Sequence, residues 1–320
     1  MSQPAFSPVP ALPRVTVLMA CHRGAAHLGQ QLASIAAQEG VDWHLRASDD
    51  GPGSGTDDDE DDGTAALLAR FRDAHPDRVT LHAGPRRGAA AHFLSLLCAP
   101  GLGPGPAALS DQDDIWYPTK LKQALSRLER VTGPAVYTAR SRHVDAMGRP
   151  LGLSRRPRGA PSFGNALVQN RVSGHAAVLN PQALALVRAV GPVEVPFHDW
   201  WLAMLITGAG GTVVEDDAVV LDYRQHGGNV LGAPRGWRAR LARAARVLGP
   251  EGRRIMAANR TALARAAPFL TEDARALLDR LDTAPAHGPA RLHALARLGV
   301  RRDAPAAQAV LALAATLGRY

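Results

Sequence analysis

Ala107-Ala-Leu-Ser110 runs directly into Asp111-Gln-Asp-Asp-Ile-Trp116, with Pro118 two residues further on. A short apolar run ending in three carboxylates within four positions reads as a strand that delivers acidic groups to one edge of a sheet. The three cannot all be buried together without a cation or a partner, because desolvating like charges is costly. A divalent ion bridging a diphosphate would balance them, and hard carboxylate oxygens suit Mg2+ or Mn2+. A solvated turn is the plain alternative, and Trp116 with Pro118 weighs against it.

Upstream of this stretch, strands and helices alternate. Arg14–Cys21 (RVTVLMAC) is an apolar run of β-formers and predicts a buried first strand. Leu28, Leu32, Ile35 and Ala36 fall at helical spacing within 27–39. Residues 41–48 predict a second strand that ends in Asp49-Asp50-Gly51, 64–75 a helix, 78–82 a strand and 92–98 a helix, with a Gly/Pro-rich loop over 100–106. Downstream, 119–130 predicts a helix, 135–140 and 176–179 strands, 198–205 a helix and 212–214 a strand. This alternation predicts an α/β fold with a mainly parallel sheet flanked by helices, whose ligands sit at the carboxyl ends of the strands. Beyond about residue 232 the chain turns to Ala, Arg and Leu, which predicts a C-terminal α-helical extension over 233–320 behind a domain spanning 14–232.

Composition excludes several classes. With 46% hydrophobic and 21% charged residues, the chain is of globular type. Two cysteines imply no disulfide framework. No apolar run approaches the roughly 20 residues of a membrane span, and residues 1–13 do not look like a secretory signal, so a cytoplasmic location is expected. The net charge of +8 is a property of the tail: residues 231–320 hold sixteen arginines against six acids, which leaves the rest at −2. A mildly acidic body argues against nucleic acid as the partner.

Three further features carry chemistry. Asp49 and Asp50 stand where an α/β sheet holds a ribose or a base, although Asp-Gly is also ordinary turn chemistry. Phe197-His-Asp-Trp-Trp201 opens a helix, so Asp199 is either a cap or a general base set among aromatics. In Tyr223-Arg-Gln-His-Gly-Gly-Asn229, His226 suits a metal or phosphate contact, or an ordinary surface histidine. Other motifs fail. Asp58, Glu60, Asp62 and Gly63 would begin a calcium loop, but its twelfth position is Ala69, and no Gly-Lys-Ser/Thr phosphate loop occurs.

In this order, Val15–Gly24, Gln30–Ile35, Ser48–Gly51, Ser110–Trp116 with Pro118, Lys120 and Leu121, Ser173-Gly174, His198–Trp201 and Tyr223–Asn229 resemble the family 2 glycosyltransferases, in the bacterial rhamnosyltransferase-like branch. The likeness covers about residues 14–232. It implies a GT-A fold and a metal-dependent, inverting hexosyl transfer. The donor would be a nucleotide diphosphate sugar (a dTDP- or UDP-sugar, rhamnose among the candidates), the acceptor a cell-surface glycan or glycolipid. By the family's pattern, Ala20, His22 and Asp49 or Asp50 would line the nucleoside pocket, with Asp111 near the ribose and Asp113 on the metal. Gly174 would face the sugar, Asp199 would be the base, and His226 would touch metal or diphosphate. Cys21, His22 and Pro52 depart from the pattern beside the expected base pocket.

A sugar nucleotidyltransferase would use similar machinery, but the loop after the first strand, 21–26, has only Arg23 and Gly24 of the Gly-rich, basic character expected there. A non-catalytic relative would be expected to lack Asp111, Asp113 or Asp199, and all are present. In the tail, Trp237, Leu241, Ala244 and Leu248 form one helical stripe among Arg235, Arg238, Arg240, Arg243 and Arg246. That pattern suits peripheral contact with the inner face of a membrane, a dimer seam, or packing on the chain's own body.

Overall fold

The computed structural model describes residues 11–51, 61–156, 158–225, 245 and 248–319. The body runs β1 (Arg14–Cys21), α1 (Ala25–Ala36), β2 (Asp42–Asp49), α2 (Thr64–Ala74), β3 (Val79–Ala83), α3 (Ala89–Leu97), β4 (Ala107–Ser110), β5 (Ile115–Trp116), α4 (Lys120–Leu128), β6 (Ala135–Val144) and β7 (Pro150–Leu153). It continues with α5 (Phe163–Ala166), a 3-10 turn at Gly174–Ala176, β8 (Val178–Leu179), α6 (Pro181–Val190), α7 (His198–Gly208) and β9 (Thr212–Arg224). The tail contributes α8 (Pro250–Ala266), α9 (Glu272–Thr283), α10 (Gly288–Arg297) and α11 (Pro305–Thr316).

One sheet organises these elements in the order β3-β2-β1-β4-β8-β6-β9-β5, with β7 paired to β6. The predicted α/β architecture with a helical extension is therefore the one found. The half built from β1 to β4 is parallel; β6 and β9 are parallel to each other, and β8 joins the halves antiparallel to β4 and β6. β1 is central because its sequence is apolar throughout, and only a strand covered on both faces tolerates that. Val15, Val17, Met19 and Cys21 pack with α1 and α4 on one face, while Leu18 packs with α3, α6 and α7 on the other.

Register fixes what lies at the carboxyl edge. Cys21 is opposite Asp49 and Met19 opposite Ser110, so the residues that follow, His22, Asp50 and Asp111, emerge together. The strand expected over 212–214 extends to Arg224. Its middle, Glu215-Asp216-Asp217, interrupts the apolar pattern and coincides with shifts in the pairing to β6 around Arg140.

Helix α7 explains how the extension attaches. Trp201 to Ile206 are all fully buried, so the helix is covered on every side. It ends at Gly210, whose φ of 77° lies in the left-handed region. At Gly211 the chain passes so close to Pro134 that a Cβ would sit 2.3 Å from its carbonyl oxygen. Leu263, Ala266, Leu281, Leu295 and Leu311 of the tail join the same core as α7. A polar latch completes the docking. The buried Arg171 guanidinium donates to both oxygens of Glu215 (2.7 and 2.5 Å), to Asp303 (2.6 Å) and to the carbonyls of Arg158 and Gly159. Arg171→Met strands two carboxylates, so it is expected to cost about 3 kcal/mol and lower the melting temperature by several degrees. An unchanged melting curve would mean that apolar packing alone holds the tail. The boundary expected near 232, together with Trp237, Leu241 and Ala244 of the basic stripe, lies outside the described residues. Among the described residues no helix is long and apolar enough to cross a membrane.

Candidate active site

The loops after β1, β2, β3 and β4 meet at the carboxyl edge of the parallel half. The amide side chain of Gln112 clamps the first to the last: it accepts from His22 N and donates to His22 O, both at 2.8 Å. Gly24 makes room for this clamp, since a Cβ there would lie 2.2 Å from Gln112 Oε1. Gly24→Ala is therefore expected to release both bonds at a cost of about 1–3 kcal/mol; a melting temperature within a degree of wild type would show that the amide reseats. Asp62 and Thr64 finish the loop from outside, accepting from Ala25 N (3.1 Å) and Gly24 N (2.8 Å) respectively.

The two aspartates after β2 part ways. Asp50 is buried and turned into the protein, accepting from Arg86 N (2.8 Å) and lying 3.4 Å from His92 Nδ1. Arg86, held at a φ of 54°, returns a bond from Nε to the Asp50 carbonyl (2.9 Å). Burial holds the His92 ring below the usual imidazole range, with Asp50 opposing. Asp50 thus braces the turn after β3. Asp49 is only half-buried and accepts from Gly51 N (3.1 Å). Burial raises its carboxyl, helped by the charge of Asp62 and opposed by the Gly51 bond. Opposite Asp49 on β1 sits Cys21, whose thiol burial pushes far up, so it is an inert wall.

The acidic turn is held from behind. Trp116 N donates to Ser34 Oγ (3.1 Å), and Gln31, in the orientation that satisfies both ends of its amide, donates to the Asp114 carbonyl and accepts from Ser110 Oγ and Trp116 Nε1. The buried Arg224 ties Asp113 O (3.2 Å) to Ala146 O (2.9 Å) and Gln30 Oε1 (2.5 Å). Of the three acids, Asp114 is fully buried, whereas Asp111 and Asp113 reach the surface. Burial lifts the Asp111 carboxyl to about 7, and the charges of Asp113 and Asp199 add to the lift, with Lys120 opposing. Asp111, Asp113 and Asp199 therefore share one electrostatic environment, although Asp199 comes from an element 88 residues away in sequence.

Asp199 opens α7. One oxygen accepts from Trp200 N (2.7 Å) and the other from Gly174 N (3.3 Å). Gly174 has to be glycine, because a Cβ would meet His198 Nε2 at 2.8 Å. His198 is stacked on Phe93 with ring centroids 4.2 Å apart, and burial lowers its proton affinity despite Asp199. The structure thus brings Ala20, His22, Asp49, Asp111, Asp113, Gly174 and Asp199 to one end of the sheet; Asp50 lies beneath them, and His226 lies outside the described residues. Gln112, Arg86 and His92 were not singled out from sequence. Gln112 stands inside the motif, while the other two show only through partners 36 and 42 residues away.

Among the described residues no three His, Cys, Asp or Glu side chains converge as a metal cage. Mg2+ and Mn2+ commonly need no such cage, taking one or two carboxylates and completing the shell with phosphate oxygens and water. The donor set fits that mode: two carboxylates that reach the surface, Asp111 and Asp113, with the negative charge of Asp199 in the same neighbourhood.

No family profile matches the chain, and no curated protein matches it. Solved structures do. The mannosyltransferase PcManGT from Pyrobaculum calidifontis, solved in complex with GDP-Man and Mn2+, is 22% identical, with 97% of this chain and 89% of that one covered at a TM-score of 0.50. TarS 1-349 of S. aureus, in complex with UDP-GlcNAc, is 14% identical, with 96% and 93% covered at a TM-score of 0.53. These likenesses show a glycosyltransferase fold that includes the helical tail.

Proposed function

We propose that this chain is an inverting, metal-dependent GT-A glycosyltransferase that moves a sugar from a nucleotide diphosphate donor to a glycan or glycolipid hydroxyl. The observation that carries the reading is the meeting of Asp111, Asp113 and Asp199 in one field at the carboxyl edge of the sheet. Both structural relatives were solved with a nucleotide sugar, one of them with Mn2+ as well. A divalent ion bound at Asp113, with His226 as a further candidate ligand, would neutralise the charge gathering on the departing diphosphate.

The chain's own groups supply the rest. Asp49 accepts from the nucleoside, Ala20 and His22 wall its pocket, and Asp111 accepts from the ribose. Asp199, held by two backbone N–H groups, takes the proton from the acceptor hydroxyl as that oxygen attacks the anomeric carbon. Attack from the face opposite the diphosphate inverts the configuration. The Gly174 N–H fixes the direction in which Asp199 points, and the absence of a side chain at Gly174 lets the His198 ring pack against that turn. A division into a 14–232 transferase body and a 233–320 extension, residence in the cytoplasm, and contact of the basic stripe with membrane or a second copy belong to the same proposal.

A thermal-shift series with UDP-, GDP- and dTDP-sugars, each with Mn2+ and with EDTA, tests the reading. One nucleotide class is expected to raise the melting temperature only when the metal is present, since a ligand of the native state stabilises it by mass action. No shift with any donor would overturn it.

A further inference from the structure

Behind the acidic turn lies a buried couple that the proposed chemistry does not use. Lys120 and Asp114 are both fully buried. Lys120 Nζ donates to the His175 carbonyl (3.0 Å) and sits 3.1 Å from the centroid of the Trp116 ring. Burial raises the Asp114 carboxyl well above the usual range, with the charges of Asp111 and Asp113 adding to this and Lys120 and the Arg224 backbone N–H opposing it. Each group lies in the other's field.

A methionine would fill the Lys120 position without any charge to compensate, and apolar replacements of buried ion pairs are often neutral or stabilising. Packing therefore does not require a lysine here. Its bond does something packing cannot. His175 belongs to the turn whose Gly174 N–H holds Asp199, and the turn lies 55 residues from Lys120 in sequence. One continuous path runs from the Trp116 ring at the end of the acidic turn through Lys120 Nζ to His175 O, in the turn whose Gly174 N–H holds the Asp199 carboxylate.

We propose that Lys120 is a positioning residue that holds the Asp111–Asp113 side and the Asp199 side in one register, with Asp114 serving as its partner rather than as a third metal-side carboxylate. This rests on the glycosyltransferase reading for its catalytic consequence, but not for its geometry.

The test compares full-length wild type with Lys120→Met, Asp114→Asn and the double variant. Lys120→Met leaves a buried carboxylate uncompensated and is expected to lower the melting temperature by an amount on the order of 10 °C. Adding Asp114→Asn is expected to recover most of that loss. Amide exchange over residues 173–177 is expected to be at least tenfold faster in both Lys120 variants. Cleavage of the donor sugar that wild type accepts with Mn2+ should stay at least tenfold slower in the double variant, chiefly through kcat, despite its recovered melting temperature.

If exchange protection and donor cleavage return together with the melting temperature, Lys120 is only a counter-charge and the proposal falls. It falls equally if Lys120→Met leaves exchange over 173–177 unchanged. A wild type that binds none of UDP, GDP and dTDP with Mn2+ sinks the glycosyltransferase reading, while the melting and exchange arms, which need no nucleotide, still decide the role of Lys120.

Discussion

Asp113→Ala is expected to abolish metal-dependent nucleotide binding while leaving the fold intact. Asp113 is partly exposed, so its loss opens no buried cavity. The turn itself is fastened through groups that the substitution does not remove: the Asp113 carbonyl to Arg224, the Gln112 amide to His22, and Trp116 N to Ser34. What disappears is the carboxylate proposed to hold the divalent ion. A metal held by few protein ligands has no reserve, and the diphosphate bound through it is lost as well. Calorimetric titration of wild type and variant with a nucleoside diphosphate and Mn2+ checks this. Unchanged affinity in Asp113→Ala would remove that residue from the metal's coordination.

Asp199→Asn is expected to behave in the opposite way: near-normal donor affinity, with transfer reduced by a factor on the order of 10²–10⁴, the usual worth of a positioned general base. The amide keeps the shape of the carboxylate, and its oxygen still accepts one of the two bonds from Trp200 N and Gly174 N. Removing a negative charge from the neighbourhood of Asp111 also relieves repulsion there, so the donor side is not weakened. Initial rates of transfer alongside donor binding constants separate the two effects. Transfer at near the wild-type rate would move the base elsewhere, with His198 the first residue to test.

The elements that make the nucleotide half were legible because local signals agree there. β1 and β4 occupy the residues expected for them, each a short apolar run between clear breaks. Asp111, Asp113, Asp49 and Asp199 stood out because charged residues at strand or helix ends are conspicuous against such runs. α6 is a helix the expected elements lack although its signal is present: Asn180 caps it, Pro181 opens it, and Ala183, Leu184 and Val187 form its buried face. β5 had no readable signal, since its two residues form a strand only by pairing with Leu221 and Asp222. The inward turn of Asp50 depends on Arg86 and His92, partners the chain supplies from later elements. Sequence placed the acids at the sheet edge; packing decided which of them face outward. The same holds for the extension. Its helices follow from composition, but its docking depends on Arg171 meeting Glu215 and Asp303, and on the backbone of Gly299 approaching Gly164, where a Cβ would lie 2.8 Å from the Gly299 oxygen.

Asp111 and Asp113 on one side and Asp199 on the other are proposed to act on one nucleotide sugar. This is tested most directly by incubating the full chain with UDP-, GDP- and dTDP-sugars in the presence of Mn2+ and following release of the nucleoside diphosphate by chromatography. One donor class is expected to be consumed, EDTA to stop the reaction, and Asp113→Ala to release nothing above background. Consumption of no donor, or equal release by wild type and Asp113→Ala, would contradict it.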